Sequence, residues 1–354
     1  MELFSAHKQW RDRAPDERFS TLKELHETVL ARRQASVESH VVPSSMVFTT
    51  HENDVVLQGA QSLAVPSHWA FTQMCDLLEA PAPWIRKLPA TLAADNLNFA
   101  AKSAPRERMA MMWANGSTPG IVRCFTTLAY SRLWDSDIVQ MLREMTQDET
   151  NGWHRPPAIT DNEYPSGIYG SDRNVFVFLV NEQNKLDDGE EGGLARGFFC
   201  WNSEVRQQSF GFSAFLYKSV CGNHIVWGAE KLFDIRMWHI GQGMSFRAQQ
   251  ELGRVLGAYA NASTQKDQVV IDAARQKIVA NTRDETLGFL SAKNIGWNRA
   301  EAEKIVVAVE KQGKDPTNLW NLVNGATRMS QERGYTDERT SQDRRAGRML
   351  NIVF

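Results

Sequence analysis

The segment RGFFCWNSEVRQQSFGFSAFLYKSVCGNHIVWGAE, Arg196 to Glu230, combines dense apolar content with an internal run of polar side chains. Its opening, Arg196–Asn202, reads as a buried strand. Alternation along it sets Gly197, Phe199 and Trp201 against Arg196, Phe198, Cys200 and Asn202. From about Gln208 to Cys221 the spacing of Phe212, Phe215, Leu216, Ser219 and Val220 predicts a helix, stopped by Gly222-Asn223. Asn202, Ser203 and Glu204 then sit between a strand end and a helix start, where side chains satisfy orphan backbone amides. Capping leaves Arg196 and Arg206, at either end of the same element, without a role.

Working outward, two more strands precede this one, near Glu163–Gly170 and Asn174–Asn181, with the acidic segment Asp187–Glu191 as a solvated hairpin tip. Before them, Asp135 or Ser136 caps a helix with Ile138, Met141, Leu142 and Met145 on its apolar face. Ile121–Trp134 is strand-like. The order is strand, helix, three-stranded meander, helix. Further upstream, Leu22, Leu25 and Val29 recur at helical spacing, MVFTTHENDVVLQG (46–59) reads as a hairpin, and a helix starts at Pro66-Ser67. Beyond about Met244 strands give way to helical patterns at Ser245–Ala260, Lys266–Val279, Arg299–Lys311, Thr317–Arg333 and Thr336–Leu350. Asn298 with Glu301 forms a capping-box pattern, and Asp315-Pro316 places proline at a first helical position. The expected fold is therefore α+β: a small antiparallel meander with packed helices and a helical C-terminal subdomain. The expected units are a polar leader over 1–17, a core over 18–243 and the helical part over 244–354.

Composition narrows the function. The chain has 354 residues, 42% hydrophobic and 10% aromatic, which is ample for a packed core. A formal net charge of −2 gives no global attraction to nucleic acid or membrane, so such binding needs a local basic patch. Cys75, Cys124, Cys200 and Cys221 form no C-x-x-C pair and read as reduced thiols. No run approaches the ~20 apolar residues of a membrane helix. A cytoplasmic protein without membrane contact is expected.

Motif by motif, most chemistry drops out. Ser203 and Ser213 lack a G-x-S-x-G elbow. Asp161, Glu163, Asp172 and the 187–191 tip lack EF-hand spacing, so no metal site is expected. GEEGGLARG (189–197) lacks the Walker lysine and precedes a strand, so no nucleotide cofactor is expected either. What remains is basic-aromatic interleaving: Arg123, Arg132, Arg173, Arg196, Trp201, Arg206 and Lys218. A sheet that offers guanidinium groups to phosphates and an aromatic ring to a base makes a single-strand binding surface. Arg344, Arg345 and Arg348 read as a solvated helix face.

At these residues the chain resembles a known family. SDRNVFVFLV (171–180), GFFCWNSEV (197–205), FLYKSVCGNHIVWG (215–228) and LWNLVNGATRMSQERGYTDERTSQDRRAGRML (319–350) look like the phage- and plasmid-associated family of unknown function numbered 932. WAFTQMCDLLEAPAPWIRKLP (69–89) fits its N-terminal part. The resemblance spans most of 65–350 and implies a mobile-element protein without assigning a reaction. Thr127-Leu128-Ala129-Tyr130 departs from the family's string, so no role is carried over to Tyr130. The element order is also similar to the core of the Rad-type and Red-type single-strand annealing proteins. That similarity implies a basic groove for single-stranded nucleic acid and assembly into a homo-oligomer.

The leading expectation is a mobile-element protein that binds, anneals or protects single strands without a chemical step. One alternative is an enzyme acting on nucleic acid or nucleotide, centred on Asn202, Ser203, Glu204, Asn223 and His224. Another is an interaction protein that blocks a host factor.

Overall fold

The computed structural model describes residues 14–58, 63–104, 109–114, 119–156, 167–190, 192–218, 223–225, 234–261, 264–330, 342 and 345–353. In chain order, α1 is Leu22–Gln34, β1 Ser36–Val41, β2 Val47–His51, β3 Asp54–Gln58 and β4 Leu63–Pro66. Next come α2 (His68–Leu77), α3 (Ala82–Ile85), α4 (Ala90–Ser103), β5 (Met109–Ala114), β6 (Gly120–Thr126) and α5 (Asp135–Thr146). The middle of the chain supplies β7 (Trp153–His154), β8 (Ile168–Gly170), β9 (Val175–Leu186), β10 (Leu194–Asn202), β11 (Phe210–Lys218), β12 (Asn223–Ile225) and β13 (Asp234–Met237). Helices α6 (Met244–Asn261), α7 (Gln265–Gln276), α8 (Arg283–Ser291), α9 (Arg299–Glu310) and α10 (Leu319–Ser330) follow.

Two sheets organise these elements, and the α+β class read from the sequence holds. The first sheet has the order β1-β5-β6-β4-β3-β2, antiparallel except for the β4–β6 pair. Helices α2 to α4 cover one of its faces, burying Met74, Leu77 and Leu97 against Phe48, Leu57, Val122 and Phe125. Its other face presents Met112 and Cys124 to Val205, which belongs to the second sheet's β10–β11 turn.

The second sheet is the meander β9-β10-β11, extended by β12 and β7, with β13 and β8 added on β11 and β9. Period-two alternation divides its side chains. Val175, Val177, Leu179, Phe198, Cys200, Phe212 and Ala214 face α1, α5 and α6, whose Leu25, Ile138, Leu142, Leu252 and Val255 complete that core. Phe176, Phe178, Phe199, Trp201 and Phe215 face the other way and pack on one another; the Phe199 and Phe215 rings stack at 4.4 Å. The outer ends of the long strands, at Leu186, Leu194 and Leu216, join a third core with α7 to α10. No described helix is long and apolar enough to cross a membrane.

One reading of the opening segment is overturned. Of the residues expected to form the helix 208–221, Phe210–Lys218 form strand β11 instead, paired with β10 from Ala195↔Tyr217 to Trp201↔Gly211, and 219–221 lie outside the described residues. Both faces of β11 are buried, so its apolar residues do not alternate with polar ones. Such a run matches a buried helix by periodicity alone. The meander is therefore β9-β10-β11, one strand later than expected, and β12 and β13 come before the next long helix, α6. The strand of 121–134 stops at Thr126. Helix α8, capped by the Thr282 hydroxyl, was not anticipated. The capping box of Asn298 and Glu301 is present. Most of the expected helix 336–350 lies outside the described residues, and Met349–Val353 forms a 3-10 turn.

Glycine at 211 is required by packing. A Cβ there would lie 2.1 Å from the Trp201 ring, which spreads over the cross-strand glycine. Gly211→Ala is expected to lower stability by about 1–3 kcal/mol through overpacking. Trp201→Phe in that background is expected to recover part of the loss. Urea midpoints of the two single variants and the double variant check this, because additive effects would contradict the contact.

Candidate nucleic-acid interface

The sheet-to-sheet junction lies at the β10–β11 turn, residues 203–209. Asn202 ends β10 and donates from Nδ2 to the Leu133 carbonyl and to Asp135 Oδ1, each at 2.8 Å. The Ser203 hydroxyl donates to the Arg173 carbonyl at 2.7 Å and accepts from the Gln207 amide at 2.9 Å, which closes the turn. Glu204 is buried and both its oxygens are used. One accepts from the Asp135 amide at 2.9 Å, at the N-terminus of α5; the other accepts from Arg123 Nη2 at 2.8 Å. Arg123 also donates to Ser36 Oγ, so strands β1 and β6 of the first sheet and the turn of the second meet at one guanidinium. The Val205 carbonyl takes two further donors from α2, Trp69 Nε1 at 2.8 Å and Gln73 Nε2 at 2.7 Å.

Burial, reinforced by the charge of Glu204, pushes the Asp135 carboxyl well above the usual carboxylate range, against the smaller opposing effects of Asn202, Arg32 and Arg123. Asn202 Oδ1 is buried with no hydrogen-bond partner among the described residues. Above this cluster, the Tyr130 hydroxyl donates to the Ser203 carbonyl at 2.9 Å and accepts from the Arg206 amide at 3.2 Å. Its ring stacks on His239 at 5.2 Å. Burial lowers the His239 pKa to about 4, so this imidazole is neutral at physiological pH.

Most of the cations selected from sequence are consumed internally. Arg123 is paired with Glu204. Arg132 pairs with Glu38 and donates to the Glu204 carbonyl. Arg196 lies 3.0 Å from Asp267 and over the Tyr259 ring. Arg173 is half-exposed, 3.6 Å from Asp172. Trp201, 7% exposed, belongs to the aromatic core. These five do not form one exposed surface. A sequence position shows a guanidinium but not the carboxylate that reaches it from 81 residues away. The side chains of Lys218, Asn223 and His224 lie outside the described residues, as does Arg344. Arg345 pairs with Glu301 and covers Trp297, and Arg348 is exposed. Asn202, Ser203 and Glu204 do converge, but in an enclosed network whose partners are other protein groups.

Arg206 remains at the surface, held at φ 65° in the turn. The structure brings to it residues that the sequence reading passed over. Segment 234–247 docks on this turn and on the 127–131 turn: Arg236 Nε donates to Ser209 Oγ at 3.3 Å, Tyr130 bridges to Ile240, and the Gly241 amide donates to the Ala129 carbonyl. Positive φ at Gly241 and Gly243 turns this segment into α6. It exposes Trp238 by 65%, Ile240 by 66% and Phe246 by 62%, and Leu128 in the 127–131 turn is exposed as well. The Arg236 guanidinium sits 5.6 Å from the Trp238 ring centre. Arg206, Arg236 and the exposed Arg247 have no acidic partner among the described residues. The signal was legible as IRMWHIGQGMSFR (235–247), where cations and aromatics interleave as in the residues selected from the strands.

The cluster predicts opposite behaviour for its two carboxylates. Glu204→Gln leaves the buried Arg123 without a counter-charge and is expected to cost about 3 kcal/mol or more. Asp135 binds its proton more readily when folded, so its contribution is fully present below about pH 4 and is lost as pH rises through the raised value. Asp135→Asn removes that loss. Relative to the wild type, its stability is expected to improve steadily from acid to neutral pH. Urea titrations across pH check both.

No known protein family, curated protein or solved structure matches the chain.

Proposed function

We propose that this protein binds single-stranded nucleic acid at the apex formed by the 127–131 turn, the β10–β11 turn and the segment leading into α6. The observation that carries this reading is the joint exposure of Arg206, Arg236 and Arg247 with Trp238 and Phe246 on tied segments. Guanidinium groups without acidic partners are available to phosphates. An exposed indole or phenyl ring offers a base a stacking partner worth ~1–3 kcal/mol, which duplex bases, already stacked, have little use for. Binding requires no chemical step: neutralising two strands on such surfaces lowers their mutual repulsion and favours annealing or protection.

Part of the element order supports the same reading. Helix α5, Gly152-Trp153 and a three-stranded meander are the parts shared with an annealing-protein core; the helix expected at 208–221 is not, since 210–218 is β11 and the strands β12 and β13 come before α6. A mobile-element setting, implied by the sequence resemblance over most of 65–350, and self-assembly belong to the same proposal. Fold analogy alone assigns no function; the apex residues give this reading its chemical content.

The test is fluorescence anisotropy with a labelled oligothymidylate across a salt series, using the full chain. Wild-type affinity is expected to fall steeply with salt. Each of Arg206→Gln, Arg236→Gln and Arg247→Gln is expected to reduce the slope of log K against log salt by about 1. Trp238→Ala is expected to weaken binding about tenfold with the salt slope unchanged. Absence of wild-type binding at low salt, or binding indifferent to all four substitutions, would refute the reading.

A further inference from the structure

A second charged surface lies far along the chain from the apex, in the C-terminal helices. Helix α9 turns Ala302, Ile305, Val306 and Val309 into the core it shares with α10. The outward side of α9 carries Lys304, Val307, Ala308 and Lys311, at positions i, i+3, i+4 and i+7. Together with Arg328 and Met329 of α10 and with Lys314 of the connecting loop, they line a groove of about 740 Å³.

Four cations line this groove against one carboxylate, Glu303. That carboxylate is engaged by Arg283, which is not part of the lining. Lys314 reaches Glu190 on the β9–β10 tip. Lys304 and Lys311 are exposed with no acidic partner among the described residues, one heptad and about 10 Å apart along the helix. Val307 and Ala308 lie half-buried between them, and Met329 closes the floor.

This pattern is a helix seam with small apolar residues in its centre and lysines on its flanks. It lacks what a strand of nucleic acid would use, because no aromatic ring and no unengaged arginine fork is found among its lining residues. A helix laid along α9 would instead place apolar residues on Val307, Ala308 and Met329, and carboxylates one heptad apart on Lys304 and Lys311. We propose that the α9–α10 groove is a docking site for an acidic amphipathic helix of a partner protein.

The test uses the full chain and two labelled synthetic helical peptides. Both carry leucine at the seam positions; one has glutamate on its flanks and the other lysine. The wild type is expected to bind the glutamate-flanked peptide at least about tenfold more tightly. The double variant Lys304→Glu/Lys311→Glu, checked for an unchanged melting temperature, is expected to reverse that preference. Oligothymidylate binding, which depends on the apex, is expected to be unaffected by the double variant. Equal affinity for both peptides, or a preference that survives the charge reversal, would overturn the proposal. Loss of oligothymidylate binding in the double variant, with peptide binding intact, would assign the groove to nucleic acid and overturn it as well.

Discussion

The ion pair between Glu204 and Arg123 is the contact on which the rest of the molecule depends. Glu204 sits in the β10–β11 turn and Arg123 in β6, so one pair joins the two sheets. A buried carboxylate is costly unless its lone pairs are satisfied. Here they are: Arg123 supplies a charged donor, and the first turn of α5 supplies the Asp135 amide together with the positive end of the helix. Asp135 takes the opposite solution. Held beside Glu204 without a guanidinium of its own, it retains its proton to higher pH than an exposed aspartate. Two carboxyl groups in one closed site are thus held by different partners, a guanidinium and a helix amide for Glu204 and the Asn202 amide for Asp135.

Fixing Glu204 fixes what grows from it. The turn is closed by the Ser203 hydroxyl, which leaves the Arg206 amide facing Tyr130. Tyr130 stacks on His239, and the chain around His239 carries Trp238 and Ile240 outward. A neutral imidazole suits that position, because a charged ring there would face the guanidinium of Arg132. The exposed aromatics and arginines of the apex therefore rest on a rigid base of buried hydrogen bonds. Such a base would keep the entropy lost on the proposed binding small.

Charge in this protein is divided between two uses. Arg123, Arg132 and Arg196 are paired with carboxylates and hold elements together, while Arg206 in a turn, Arg236 in the short strand β13 and Arg247 at a helix start have no acidic partner among the described residues. The lysines of the α9 face form another exposed group. A net charge of −2 hides this division, since surface potential depends on where unpaired charges sit and not on their sum.

The sequence by itself determined the α+β class, the hairpin of 46–59, the helix after Asp135, the helical C-terminal region and the capping box at Asn298. Each of these is encoded locally, by periodicity, turn residues or a cap within a few positions. It also pointed to Asn202, Ser203 and Glu204 as polar groups needing an explanation. Tertiary structure decided that 210–218 is a strand, because a segment buried on both faces has lost the alternation that tells strand from helix. It decided as well which arginines are spent and which are available. Pairing links residues such as 123 and 204 that are near only after folding, and the energy of a buried charge depends on its partners rather than on its neighbours in the chain.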